Sequence, residues 1–217
     1  MDAILYIHHL PLNEGITQRH AMLLKTLNSG ARVIPLSFYD GRPRPMLAPN
    51  EQFFHFDTLI YEWFLREKPK FDRYFLIEWD LFCTAPLKEF YGAAYDRPCV
   101  GSIIARPWSR DILLEHDFAE RDWHFFTHGN TPGLYPFLRG IIPSCGAMFS
   151  HECLEIMSLI WSENREVDRL ICEVRMGTMA CMAGFEPERI REDAHLFISP
   201  KDVTPKQSRG VWHRVKI

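Results

Sequence analysis

The residues best suited to chemistry lie where an apolar run meets two acids. Tyr74-Phe75-Leu76-Ile77 leads directly into Glu78-Trp79-Asp80. A short unbroken apolar run of this kind reads as a strand covered on both faces, here spanning 73–79. A bare charge inside a core is costly, so acids at the end of such a strand belong at a border or a site. In open α/β sheets the carboxyl ends of strands line the ligand crevice. Glu78 and Asp80 are two residues apart and point the same way in extended chain. Two convergent oxygen donors suit a hard cation, Mg2+ or Mn2+, and such an ion commonly carries phosphates. The plainer alternative has Asp80 capping the next helix and Glu78 pairing with a surface Lys or Arg.

Four other groups invite attention. Glu173 stands among Leu170, Ile171, Cys172, Val174 and Met176. A partly buried Glu has its pKa raised, which suits a general base. Glu166 and Asp168 compete for that role from a more polar lead-in, and any of the three acids also reads as an ordinary helical partner of Arg169 or Arg175. His8-His9 end the first expected strand and Asp40 the second; surface polarity explains them equally well. Val211-Trp212-His213-Arg214-Val215-Lys216 puts an imidazole, a fair Mn2+ ligand, among basic residues, in what also reads as a frayed tail. Trp108, Trp123, Phe125, Phe126, Tyr135 and Phe137 crowd an irregular segment, where aromatic rings fill cores or meet sugar faces. The turn Pro143-Ser144-Cys145-Gly146 suits a close backbone approach to a ligand.

These residues need a scaffold, and the chain predicts one. It has 217 residues with 47% apolar and 24% charged, the range of an ordinary globular domain. A single domain over 1–217 is expected. The net charge of -3 gives no global basic field for nucleic acid or anionic membrane. The apolar runs are too short to span a bilayer. The first residues lack the basic region and cleavage site of a signal peptide. The six cysteines form no CxxC spacing. A reduced, cytoplasmic protein without structural zinc is therefore expected. Strands are predicted at 3–9, 31–38, 73–79 and 98–105, with another resuming over 140–149. Helices are predicted at 16–27, 53–67 and 87–94, from Ser150 to 161, and from Asn164 to 183. Strand, short helix, strand is the βαβ order of a parallel sheet. The stretch 106–139 reads as a functional loop or lid.

This order of elements, with an acid-x-acid motif ending a strand, resembles a glycosyltransferase of the GT-A type over nearly the whole chain. The resemblance implies an α/β, Rossmann-like fold: a mainly parallel central sheet flanked by helices on both faces. Residues 1–105 would form the nucleotide-sugar half and 106–217 the acceptor half. Glu78-Trp79-Asp80 would be a variant of the Asp-x-Asp motif with Glu in first place. Asp80 and His213 would then hold Mn2+ or Mg2+. Glu78 and Trp79 would meet the donor, His8, His9 and Asp40 its base and ribose, and Lys216 its phosphates. Glu173 would be the base of an inverting reaction. The implied activity is metal-dependent transfer of a hexose from a UDP- or GDP-sugar to a hydroxyl of a glycan or glycoprotein. Two alternatives stand beside it. One is a nucleotide-sugar-binding module without catalysis. The other is a metal-dependent hydrolase or nucleotidyltransferase using His8, His9 and the two acids. Nucleotidyltransferases usually carry a Gly-rich, basic loop after the first strand, and His8-His9-Leu10-Pro11-Leu12-Asn13 is not one.

Overall fold

Strands β1 (Asp2–His8), β2 (Ala31–Ser37) and β3 (Arg73–Glu78) run parallel, with β1 in the middle. The computed structural model describes residues 1–8, 14–37, 55–78, 81–101, 132–138, 146–190, 196–203 and 211–215. Ile4 lies opposite Val33 on one side and Phe75 on the other. Successive strand side chains go to opposite faces. Here both faces are covered. Ala3, Leu5, Ile7, Tyr74 and Leu76 enter one core, while Ile4, Tyr6, Phe75 and Ile77 enter another. That is why β3 reads as an unbroken apolar run.

Helices cover both faces, as predicted. α1 (Glu14–Leu27) connects β1 to β2 and adds Leu24 to the second core. β4 (Leu81–Cys83) follows β3, and α3 (Leu87–Tyr91) then adds Leu87, Phe90 and Tyr91. The first core is completed by α2 (Thr58–Glu67), α4 (His151–Glu163) and α5 (Cys172–Met182). Ser150 caps α4 as expected, its hydroxyl accepting from the Cys153 N–H at 3.2 Å. Among the described residues no helix is long and apolar enough to cross a membrane.

The full order of the main sheet is β2-β1-β3-β6-β5-β7, with β5 at Cys99–Gly101, β6 at Met148–Ser150 and β7 at Glu188–Arg189. β6 is antiparallel to both β3 and β5, and β7 is parallel to β5. All the strands except β6 therefore share one direction, and the sheet is mainly parallel with one reversal. The reversal begins at Gly146, where φ is +79°, a conformation that costs Gly little. Its N–H donates to the Leu76 carbonyl at 3.2 Å, and the Leu76 N–H donates to Ala147 at 2.8 Å. The Tyr91 hydroxyl donates to the Gly146 carbonyl. Gly146 thus serves the sheet and the core beneath it; Pro143, Ser144 and Cys145 of the expected turn lie outside the described residues.

Two expectations are corrected. The stretch 164–183 is not one helix. Asn164 does cap, its side chain accepting from the Glu166 N–H at 3.1 Å, but what it caps is a 3-10 turn, Arg165–Arg169. Leu170 and Ile171, with ψ of 146° and 155°, are extended and break the chain before α5. The tail is also more regular than it reads. β8 (Leu196–Val203) and β9 (Val211–Val215) join β4 in a second sheet of order β4-β9-β8. Pro200 lacks an N–H and breaks any strand pattern in the sequence. It is tolerated because β8 is an edge strand whose register shifts between Ile198 and Val203.

Candidate functional site

From β1 the chain crosses to β2 on one side and later to β3 on the other. Such a reversal of strand order opens a crevice at the carboxyl ends, where α/β sheets bind ligands. At those ends His8 lies opposite Ser37, and Ile7 lies opposite Glu78. Glu78 is only 5% exposed. By strand alternation it shares the face of Tyr74 and Leu76, the face that α5 covers.

Glu173 occupies the first turn of α5. Burial pushes its carboxyl up to about 7, and the charge of Glu78 adds to the effect. Two acids distant in sequence are thus brought within electrostatic reach of each other. Glu173 keeps part of its surface open to solvent. Among the described residues it has no hydrogen-bond or ion-pair partner. Burial, then the charges of Asp57 and Glu173, lift the neighbouring Cys172 thiol well above its ordinary range, with Glu78 a further contributor. Glu173 is therefore a carboxyl whose charge change is moved up to about 7 by its surroundings.

The competing acids differ from Glu173 in their surroundings. Asp168 accepts from the Trp161 indole at 3.0 Å and pairs with Arg165 at 3.2 Å. Glu166 is exposed. Arg175 does not pair with Glu173; residues two apart on a helix do not face each other. Its guanidinium is buried against Asp57 instead.

The remaining expected site residues are reached only in part. His8 ends β1, and its side chain lies outside the described residues, as do His9, Asp40, Trp79, Asp80 and Lys216 entirely. The backbone of His213 pairs with Leu81, one residue beyond Asp80. β9 is thereby drawn to the strand that follows the acidic end of β3. Among the described residues no group of three His, Cys, Asp or Glu is arranged to hold a metal. Of the aromatics, Tyr135 and Phe137 fall in a 3-10 turn, Pro132–Phe137, and Trp108, Trp123, Phe125 and Phe126 lie outside the described residues.

Sequence reasoning gives Asp57 no role, because it falls inside an expected helix. The available signal was Arg175 itself, set among Ile171, Cys172, Val174 and Met176. A cation in so apolar a stretch needs a buried acid somewhere.

No family model matches the sequence, and no curated protein matches it. Among solved structures, a crystal structure of a glycosyltransferase involved in the glycosylation of the major capsid of PBCV-1 is distantly similar. The TM-score is 0.44 at 13% identity, over 77% of this chain and 68% of that one. A likeness at this level carries no assignment of function or of residues.

Proposed function

We propose that this chain is a glycosyltransferase moving a sugar from a nucleoside diphosphate sugar to a hydroxyl acceptor, with Glu173 as general base. The observation that carries the reading is the state of Glu173: reachable by solvent, titrating near 7, and coupled to Glu78 at the carboxyl ends of the central strands. A base poised near the working pH combines availability with driving force. The acceptor hydroxyl gives its proton to Glu173 as its oxygen bonds to the anomeric carbon. The bond from that carbon to the diphosphate oxygen breaks, the diphosphate leaves with the electron pair, and configuration inverts. Glu78, with Trp79, would receive donor hydroxyls. His8, His9 and Asp40 would meet the base and ribose, and Lys216 the phosphates.

A divalent cation would be held by Asp80 and His213. The register of His213 with Leu81, together with the hard oxygen donors at the end of β3, supports that donor set. When bound, Mn2+ or Mg2+ offsets the charge of the leaving diphosphate. The raised base favours an enzyme over a silent binding module, since binding alone makes no use of it.

Melting curves with UDP-, GDP- and dTDP-sugars, each with and without Mn2+, test the reading. At least one donor should raise the Tm, and more so with Mn2+. Asp80→Ala should keep the fold and lose the increment due to the metal. If Asp80→Ala binds metal and donor as wild type does, the metal assignment is wrong.

A further inference from the structure

We propose that Arg175, with Asp57, is a positioning residue that fixes the turn carrying Glu173 and so sets where that carboxyl stands relative to Glu78. The inference rests on the function proposed above for Glu173.

Arg175 and Asp57 are both fully buried. The guanidinium spends its fork on several partners at once. Its Nε donates to Asp57 Oδ2 at 2.9 Å, and Nη2 donates to Asp57 Oδ1. Nη1 donates to the Leu170 carbonyl at 2.7 Å, lies 3.4 Å from the Val167 carbonyl and reaches His55 Nδ1 at 3.2 Å. Those two carbonyls belong to the 3-10 turn and the extended link that lead into α5. Meanwhile the backbone N–H of Arg175 donates to Ile171 at 2.8 Å. The chain from Leu170 to Arg175 is therefore a small ring closed by one side chain, and Glu173 lies inside it.

The other end of the clamp is equally fixed. Asp57 precedes α2, where an acid ordinarily caps the helix, yet its side chain makes no cap bond. Both carboxylate oxygens go to Arg175, and the Tyr61 hydroxyl donates to Oδ2 at 3.2 Å. α2 packs on the sheet through Leu59, Ile60 and Trp63, in the core that holds Tyr74 and Leu76. The path from sheet to Glu173 thus runs through α2, Asp57 and Arg175. α5 has no side-chain cap of its own, because Ile171 stands at that position. A buried ion pair adds little stability over apolar residues of like volume, whereas its planar geometry is restrictive. Holding geometry is the use that suits it.

The test uses Arg175→Lys, which keeps the charge and loses the fork. The readouts are the titration midpoint of the Glu173 carboxyl, followed by carbon NMR, and the pH profile of transfer. The midpoint should move from about 7 by half a unit or more. Turnover should fall tenfold or more while donor binding holds. If Arg175→Lys does not fold, the double variant Asp57→Leu/Arg175→Met leaves no charge buried alone and carries the same test. A folded variant whose Glu173 midpoint and turnover both match wild type overturns the proposal. The NMR titration needs no activity. Should Glu173→Gln still transfer sugar, the base assignment fails while the positioning result stands on its own.

Discussion

Glu173 sits where its charge is penalised, and that has a sign in stability as well as in catalysis. Its ordinary pKa is 4.5 and its folded value about 7, so between those pH values the folded chain binds more protons than the unfolded one. Stability attributable to this group is therefore greatest at acid pH, falls as pH rises from about 4.5 to about 7, and stays lost above. The shift corresponds to on the order of 3 kcal/mol at most. Glu173→Gln removes the penalty. Urea denaturation should find the variant more stable than wild type by on the order of 1–3 kcal/mol at pH 8, and level with it near pH 4. Turnover should fall by about 10² or more, with donor affinity kept. Wild-type turnover should climb with pH through about 7 along a single-proton limb. Equal stability of the two proteins at both pH values would show that the carboxyl is not penalised. Gain of stability with loss of transfer would mark Glu173 as a functional group held at a cost.

β9 is the element on which the proposed donor site depends. It lies between β4 and β8 and sets the backbone of His213 beside Leu81. Deleting residues 211–217 should weaken donor binding and leave the main sheet folded, because the backbone of β9 pairs with β4 and β8 and, among the described residues, with no strand of the main sheet. Calorimetric titration of donor into the truncated chain checks this; unchanged affinity would make β9 a bystander. The same strand shows what is legible in sequence. β1, β2 and β3 can be read to within a residue or two because each is an apolar run that both faces bury. Ser150 can be read because a cap is a local bond. β8 and β9 cannot, since their pairing partner is distant and Pro200 interrupts the pattern. The break before α5 is hidden for a related reason: Leu170 and Ile171 are good helix residues, and the Arg175 clamp overrides their preference. Glu173 was legible as an acid in apolar surroundings. Its electrostatic link to Glu78 was not, because no spacing records that a strand end and a helix so distant in sequence come within reach of each other.

At the scale of the molecule, the three parallel strands at the start of the main sheet are local in sequence, whereas the small sheet is not. β1, β2 and β3 are near neighbours in sequence, joined by a helix or two. The pairing of β4 with β9 closes nearly all the chain that follows β3. Lengthening a loop costs little in final stability, since closure entropy grows only logarithmically. It costs more in time, because distant contacts form late. A refolding chain should therefore recover far-UV circular dichroism in an early phase and donor binding in a later one. Recovery of both in a single phase would mean that the small sheet forms together with the main one. During synthesis the same order holds. β4 emerges long before its partner β9 has been made, so the parallel strands β1, β2 and β3 can pair well before the proposed donor site is complete.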